Sequence, residues 1–228
     1  MFISAFPAGP LAANCYLVAA ADRAAECVIV DPGQDAGEQI SARLAEHGLV
    51  PAAVLLTHGH FDHVWSAAEV ARDHGVAVYV HGADRPLLSD PAKGLGPGLA
   101  AQLSALLGQA ELEEPTDVRE LAGGETLELA GLELSVEHVP GHTPGSVCYG
   151  LAGGAAGDPV LFTGDLLFAG AIGRTDFPGG DHGEILRSLE RVCRDWPDGT
   201  DVRPGHGTPT TIGGERAANP FLADIPGR

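Results

Sequence analysis

The chain has 228 residues, 44% of them hydrophobic, with a mean hydropathy of +0.07, enough to bury a substantial core and inconsistent with a disordered chain. Its 31 acidic against 13 basic residues give a formal net charge of -18, so most of the surface repels a phosphate backbone, and no Lys/Arg cluster offsets that repulsion. No apolar run reaches bilayer length, and Met1–Pro10 lacks the basic start and apolar stretch of a secretory signal, so the expectation is a cytoplasmic protein with no nucleic-acid or membrane partner.

Along the chain, Phe2–Phe6, Asn14–Val18 and Cys27–Asp31 read as short strands separated by Pro and Gly signals. Asp35-Ala36-Gly37-Glu38 has the form of a capping box with Asp in place of Ser or Thr, and it opens a helix with Ile40 and Leu44 on one face and Gly48 as its stop. Ala52–Thr57 reads as the next strand, His63–His74 as a helix stopped by Gly75, and Val76–Val80 as another strand. His47 and His74 each precede a glycine at a helix end, where an imidazole meets the dipole favourably. From Asp84 to Arg119 the pattern loosens: Asp90–Gly98 is turn-rich and precedes the apolar stretch Leu99–Leu107, so the segment reads as an insertion between two halves. Strand signals resume at Thr126–Leu129, Leu132–Val136, Val147–Leu151 and Val160–Thr163, and Ile185, Leu186, Leu189 and Val192 give helical spacing over His182–Arg194. His81, His138 and His182 read as surface or packing residues. Cys15, Cys27, Cys148 and Cys193 are widely spaced and show no Cys-x-x-Cys pairing, as expected of reduced core thiols.

The segment His58-Gly59-His60-Phe61-Asp62-His63 puts three imidazoles and a carboxylate into six residues, directly after the apolar run Val54–Thr57. A strand ending at Thr57 hands these side chains to a turn at a sheet edge, where rigid scaffolds carry their chemistry. Imidazole and carboxylate together suit zinc, iron or manganese. Asp62 reads as a ligand to a second cation or as a base, and the spacing leaves both open. Downstream, ligand-type residues recur beside glycine in Gly141-His142-Thr143-Pro144-Gly145, Phe162-Thr163-Gly164-Asp165 and Pro204-Gly205-His206-Gly207. Glycine permits the tight turns by which separate loops converge on one point.

In this order the motifs closely resemble those of the metallo-β-lactamase superfamily, which run His-x-His-x-Asp-His, then His, then Asp, then His. The resemblance covers nearly the whole chain. It implies an α/β fold of the four-layer αββα sandwich type with metals at one edge, and a single domain over 1–228 with a variable insertion around 84–119. It also implies that His58, His60 and His142 hold one divalent ion, that Asp62, His63 and His206 hold a second, and that Asp165 bridges the two. Zinc is the first expectation, with iron or manganese as alternatives. Two divalent cations less two carboxylates and a bridging hydroxide leave a charge of about +1, which favours an oxyanion. A metal-bound hydroxide would attack a carbonyl polarised by one ion, with Asp62 and Asp165 as the catalytic carboxylates and Asp62 orienting the nucleophile or taking its proton.

Gly173-Arg174-Thr175-Asp176-Phe177 looks like the corresponding segment of the glyoxalase II group, in which a basic residue matching Arg174 contacts the carboxylate of a glutathione thioester. Arg174 is therefore the substrate-binding candidate, and a small-molecule thioester of a 2-hydroxy acid is the expected partner. The group's best glutathione binders carry an aromatic residue near Asp176 and a helical C-terminal extension, whereas this chain ends soon after Asn219-Pro220-Phe221, so the match is closer to short bacterial members. Persulfide dioxygenases share a Gly-Arg-Thr-Asp-Phe segment and work with a single iron. A lactonase and a noncatalytic metal-binding module are the further alternatives, and β-lactamases differ in typically carrying cysteine or serine where Asp165 stands.

Overall fold

The computed structural model of the chain describes residues 1–101, 113–153 and 157–223. Strands β1 (Phe2–Ala8), β2 (Ala13–Ala19), β3 (Glu26–Val30), β4 (Val50–Leu55), β5 (Ala77–His81) and β6 (Val118–Leu121) form one sheet in that order, antiparallel from β1 to β3 and parallel from β3 to β6. The second sheet comprises β7 (Thr126–Leu129), β8 (Leu132–His138), β9 (Val147–Leu151), β10 (Val160–Gly164), β13 (Asp201–Pro204) and β14 (Thr210–Thr211) in the order β14-β13-β10-β9-β8-β7. It is antiparallel except where β10 lies beside β13. Between β10 and β13 the short strands β11 (Leu167–Phe168) and β12 (Ala171–Ile172) form a hairpin.

Side-chain alternation along each strand sorts the apolar residues into layers. Tyr16, Val18, Val28, Val30 and Leu55 of the first sheet pack against Leu134, Val136, Tyr149, Val160 and Phe162 of the second. The alternate residues Leu17, Ile29 and Val54 face outward onto Ile40 and Leu44 of α1 (Gly37–His47), Val64 of α2 (Phe61–Val64), and Val70 and Ala71 of α3 (Ala67–His74). Beyond β6 in the chain, α4 (Pro86–Ser89) having intervened, the other outer face carries Cys148, Leu161 and Val202 against Ile185, Leu189 and Val192 of α5 (His182–Asp195) and Ile212 of α6 (Ile212–Ala218). The result is helix, sheet, sheet, helix. Strands buried on both faces read as continuous apolar runs, as Cys27–Val30 and Val160–Phe162 do.

Several local expectations need correction. The helix predicted over His63–His74 is two helices, α2 and α3, broken at Trp65-Ser66. Ser66 is held by the loop before α1: its amide donates to the Pro32 carbonyl (3.0 Å), and its hydroxyl accepts from the Ala36 amide (3.2 Å). The same contact replaces the predicted capping box, because Ala36 stands at the N-cap with no side-chain bond while Asp35 takes a left-handed φ of 56°. Asp31, expected inside a strand, lies just past β3. In the segment that loosens after Asp84, α4, a 3-10 turn at Pro91–Gly94, and β6 are described, whereas residues 102–107 of the predicted apolar stretch lie outside the described residues. The short pairs β11–β12 and β13–β14 and helix α6 had no periodic signal long enough to predict. His47 and His74 end their helices ahead of left-handed Gly48 and Gly75 as expected, and all four cysteines are buried and unpaired. Among the described residues no helix is long and apolar enough to cross a membrane.

Candidate metal centre

Parallel strands deliver their carboxyl ends to one edge of the sandwich, and the polar motifs begin where those strands stop. Asp31 follows β3, His58 follows β4 by way of Leu56-Thr57, Asp165 follows β10, and His206 follows β13 two residues on. His142 comes from the turn between antiparallel β8 and β9. The two sheets are tied together here by the Val147 amide, which donates to the Thr57 carbonyl (2.8 Å). Gly164, at a φ of 48°, lies so close to Thr57 that a Cβ would strike its side chain.

All seven predicted ligand residues converge. His58, His60 and His142 form one group whose nitrogens could share an ion, and Asp62, His63 and His206 form another. Asp165 lies between them, with Oδ2 3.6 Å from His142 Nε2 and 3.7 Å from His206 Nε2, and Oδ1 3.5 Å from His63 Nε2. The same carboxylate also forms a third possible group with His58 and His63.

Hydrogen bonds away from the centre fix which nitrogen faces it. His142 Nδ1 donates to the Arg174 carbonyl (2.8 Å), so its Nε2 keeps a lone pair toward the cluster. His63 Nδ1 donates to Asp31 Oδ2 (3.0 Å), leaving Nε2 toward His206 at 3.2 Å and Asp62 at 3.6 Å. Thr57 Oγ1 donates to Asp31 (2.7 Å) and accepts from His58 Nδ1 (3.1 Å), so a single buried carboxylate orients two imidazoles. His60 Nδ1 stands 2.9 Å from His142 Nε2. Two lone pairs at that distance repel unless a proton or cation lies between them. His58 Nε2 and Asp165 Oδ1 are buried with no hydrogen-bond partner among the described residues. Buried imidazole and carboxylate atoms without partners, standing in a group whose ligand atoms lie within 4.8 Å of one another, fit a divalent cation.

The two groups differ in charge. Burial, reinforced by neighbouring histidines, holds His58 well below its ordinary range and pushes His60 down to about 3. Burial opposes charge on His63 too, yet the Asp62, Asp165 and Asp31 carboxylates raise it to about 10. His206 is also raised, because Asp62 and Asp165 outweigh the burial that would lower it. For Asp62 burial works upward, but His63 and His206 hold its carboxyl well below the usual carboxylate range.

Arg174 contributes to the cluster through its backbone carbonyl. Its guanidinium stands outside, about half exposed, paired with both oxygens of Asp176 (2.7 and 2.8 Å) and stacked 3.6 Å over the Phe177 ring. Phe177 in turn meets His60 edge-on at 5.8 Å between ring centroids, which places Arg174 on the rim. Two residues at the site had escaped the sequence reading. Asp31 had a usable signal, an acid ending an apolar strand just before Pro32-Gly33. Asp84 had none, standing in the loosened segment; it is buried and accepts from the Gly59 and Gly145 amides and the Thr143 hydroxyl.

Comparison with known proteins agrees with this geometry. The family described as Metallo-beta-lactamase superfamily matches residues 8–202. An uncharacterized protein of Mycobacterium tuberculosis is 47% identical, covering 99% of each chain. The hydroxyacylglutathione hydrolase GloC of Haemophilus influenzae is 34% identical, covering 97% of this chain and 98% of that one. Among solved structures, the B3 metallo-beta-lactamase BLEG-1 superposes with a TM-score of 0.83 at 38% identity, covering 97% of this chain and 100% of that one. TTHA1623 in a di-iron-bound form gives 0.78 at 38% identity with the same coverage.

Proposed function

The chain belongs to the metallo-beta-lactamase superfamily of metal-dependent hydrolases, and from that premise we propose that it hydrolyses thioesters of 2-hydroxy acids at a dinuclear centre. The observation that carries the reading is the second ligand group: Asp62, His63 and His206 stand complete beside the three histidines, with Asp165 between. A single iron would leave that group without an ion, so its completeness argues for two. Similarity to the hydroxyacylglutathione hydrolase supports the thioester class. We assign His58, His60 and His142 to one divalent ion, Asp62, His63 and His206 to the other, and Asp165 to both. Zinc is the first choice, and the di-iron form of TTHA1623 supports iron as the alternative.

Bound there, two divalent cations supply Lewis acidity toward a carbonyl and make water acidic enough to ionise near neutral pH. The chain's own residues do the rest. Asp62, held ionised 3.2 Å from His206, orients the attacking water. Asp31 and the Arg174 carbonyl keep the imidazoles in the ligand tautomer. The cluster offers no spare acid, and a thiolate leaving group needs none, since a free thiol has a pKa of about 8.5. Arg174 on the rim is the contact for a substrate carboxylate, which must displace Asp176 to reach it.

The 38% identity to BLEG-1 favours one second reading, β-lactam hydrolysis. Zinc-loaded and iron-loaded protein should be assayed with S-lactoyl thiols, a chromogenic cephalosporin and a persulfide, with and without oxygen. Thiol release at equal rates in aerobic and anaerobic buffer, with label from heavy-oxygen water in the product carboxylate, is the expected result. Iron-dependent oxygen consumption on persulfide by fully metallated protein that leaves thioesters intact would replace this function. Turnover of the cephalosporin alone would select the second reading.

A further inference from the structure

The two loops that supply the three histidines are joined by a side chain belonging to neither. Asp84 follows β5 and is 0% exposed. Its Oδ2 accepts from the Gly59 amide (2.8 Å) and from the Thr143 hydroxyl (2.6 Å), and its Oδ1 accepts from the Gly145 amide (2.7 Å). Gly59 sits between His58 and His60, while Thr143 directly follows His142 and Gly145 lies three residues after it. Across this bracket His60 Nδ1 and His142 Nε2 face each other at 2.9 Å.

The approach is close by construction. A Cβ at Gly145 would lie 2.6 Å from the Asp84 carboxylate carbon, and one at Gly59 would lie 2.9 Å from the Asp84 carbonyl oxygen and 2.8 Å from Leu87 Cβ. Both glycines let backbone amides reach the carboxylate directly. Ser146 Oγ, 2.7 Å from Thr143 Oγ1, supplies that hydroxyl with a donor, so the Thr143 proton is committed to Asp84. Every group around the two carboxylate oxygens donates. An ionised carboxylate satisfies all three, whereas an asparagine of the same shape would set its NH2 against a backbone N–H whichever way it turned.

The other ligand group is anchored elsewhere. His63 is fixed by Asp31, and the His206 loop by Asn14, whose side chain donates to the Pro204 carbonyl (3.0 Å) and the Gly207 carbonyl (2.9 Å). Asp84 makes no hydrogen bond to that group among the described residues.

We propose that Asp84 is a positioning residue for the ion held by His58, His60 and His142: it sets the spacing of the two loops and thereby the affinity of that ion, leaving the second ion's affinity unchanged. This rests on the dinuclear reading above.

The test is chelator-competition titration of zinc, with cobalt(II) absorption as a second readout, on full-length wild type, Asp84→Asn, Thr143→Val and Thr143→Ser. His142→Ala and His206→Ala serve as references, each lacking a ligand of one group. Outer partners of metal ligands typically contribute 10–100-fold in affinity. Asp84→Asn should therefore lose about that factor at one ion and keep the other within a few-fold, and its residual cobalt spectrum should match that of His142→Ala. Thr143→Val should show a smaller loss at the same ion, and Thr143→Ser should restore wild-type binding. Wild-type affinity for both ions in Asp84→Asn, or equal weakening of both, overturns the inference. If Asp84→Asn does not fold by circular dichroism, Thr143→Val decides, and unchanged binding there overturns it equally. Failure of the dinuclear reading would show separately, in the stoichiometry of the wild type.

Discussion

Among imidazoles drawn from one hexapeptide, His58 and His60 are held neutral while His63 is held charged, because only His63 is surrounded by Asp31, Asp62 and Asp165. The sign of the pH dependence follows. His63 lies at about 10 in the folded metal-free protein against an ordinary 6.5, so its contribution to stability is fully present below pH 6.5 and is lost as pH rises through about 10. His60, pushed down to about 3, contributes stability that is present above pH 6.5 and is lost as pH falls through about 3. Metal-free protein should therefore melt highest near pH 6.5. Since a ligand imidazole must be neutral, zinc loading at pH 8 should release at least one proton, measured by calorimetry in buffers of different ionisation heat. Zinc uptake without proton release would show that His63 does not coordinate. On the rim, Arg174 is engaged by Asp176, and the pair is exposed. Asp176→Asn should lower KM for a carboxylate-bearing thioester severalfold and Arg174→Ala should raise it, with an uncharged thioester indifferent to both. Equal effects on the two substrates would make Arg174 a purely structural residue.

At the scale of elements, the site depends on how closely strand ends can approach one another. β10 and β13 run parallel, with a register shift between Phe162 and Gly164, and this brings Asp165 beside the His206 loop. Gly205 is the point of contact: its amide donates to the Gly164 carbonyl (2.8 Å), and a Cβ there would run into Asp165 Oδ1 and come within 2.8 Å of His63 Cε1. Gly205→Ala should cost about 1–3 kcal/mol of folding stability through overpacking and weaken zinc binding, as read from urea unfolding of metal-free protein and from zinc stoichiometry. If both survive intact, the strand ends have more slack than these distances show. The break between α2 and α3 belongs to the same scale. Ser66 gives up helical continuity to bond the loop after β3, which leaves Asp62 and His63 on a short helix of their own.

For the whole molecule, the layer between the sheets holds both halves of the site in register. Phe162 is fully buried in that layer and meets Tyr16 of the opposite sheet edge-on at 5.1 Å; the Tyr16 hydroxyl donates to the Pro204 carbonyl (2.6 Å), next to the His206 loop. Phe162→Ala should cost about 3–5 kcal/mol by cavity formation. Because Tyr16 links that cavity to the site, the variant should also lose zinc affinity, even under conditions where it remains folded by circular dichroism. Unchanged affinity would confine Phe162 to a packing role.

What the sequence determined by itself is what is contiguous or periodic. His58–His63 needs no tertiary information to be recognised as a ligand cluster, and strand alternation with glycine-ended helices marks an α/β chain, since backbone geometry fixes both periods locally; the αββα layering came only through the family resemblance, because periodicity does not distinguish it from other α/β layouts. The later ligands were legible only through their order relative to the first cluster. Tertiary structure decided how they are held. Asp31 reaches His63 across 32 residues, and Asp84 reaches Gly145 across 61, separations over which no local pattern marks a buried carboxylate as a partner. It also decided the breaks: Ser66 leaves the helical pattern because its amide is drawn to the distant Pro32 carbonyl, and Ala36 becomes an N-cap while Asp35 is turned left-handed. A side chain whose partners arrive from another loop shows its role only when the fold has brought them within hydrogen-bonding distance.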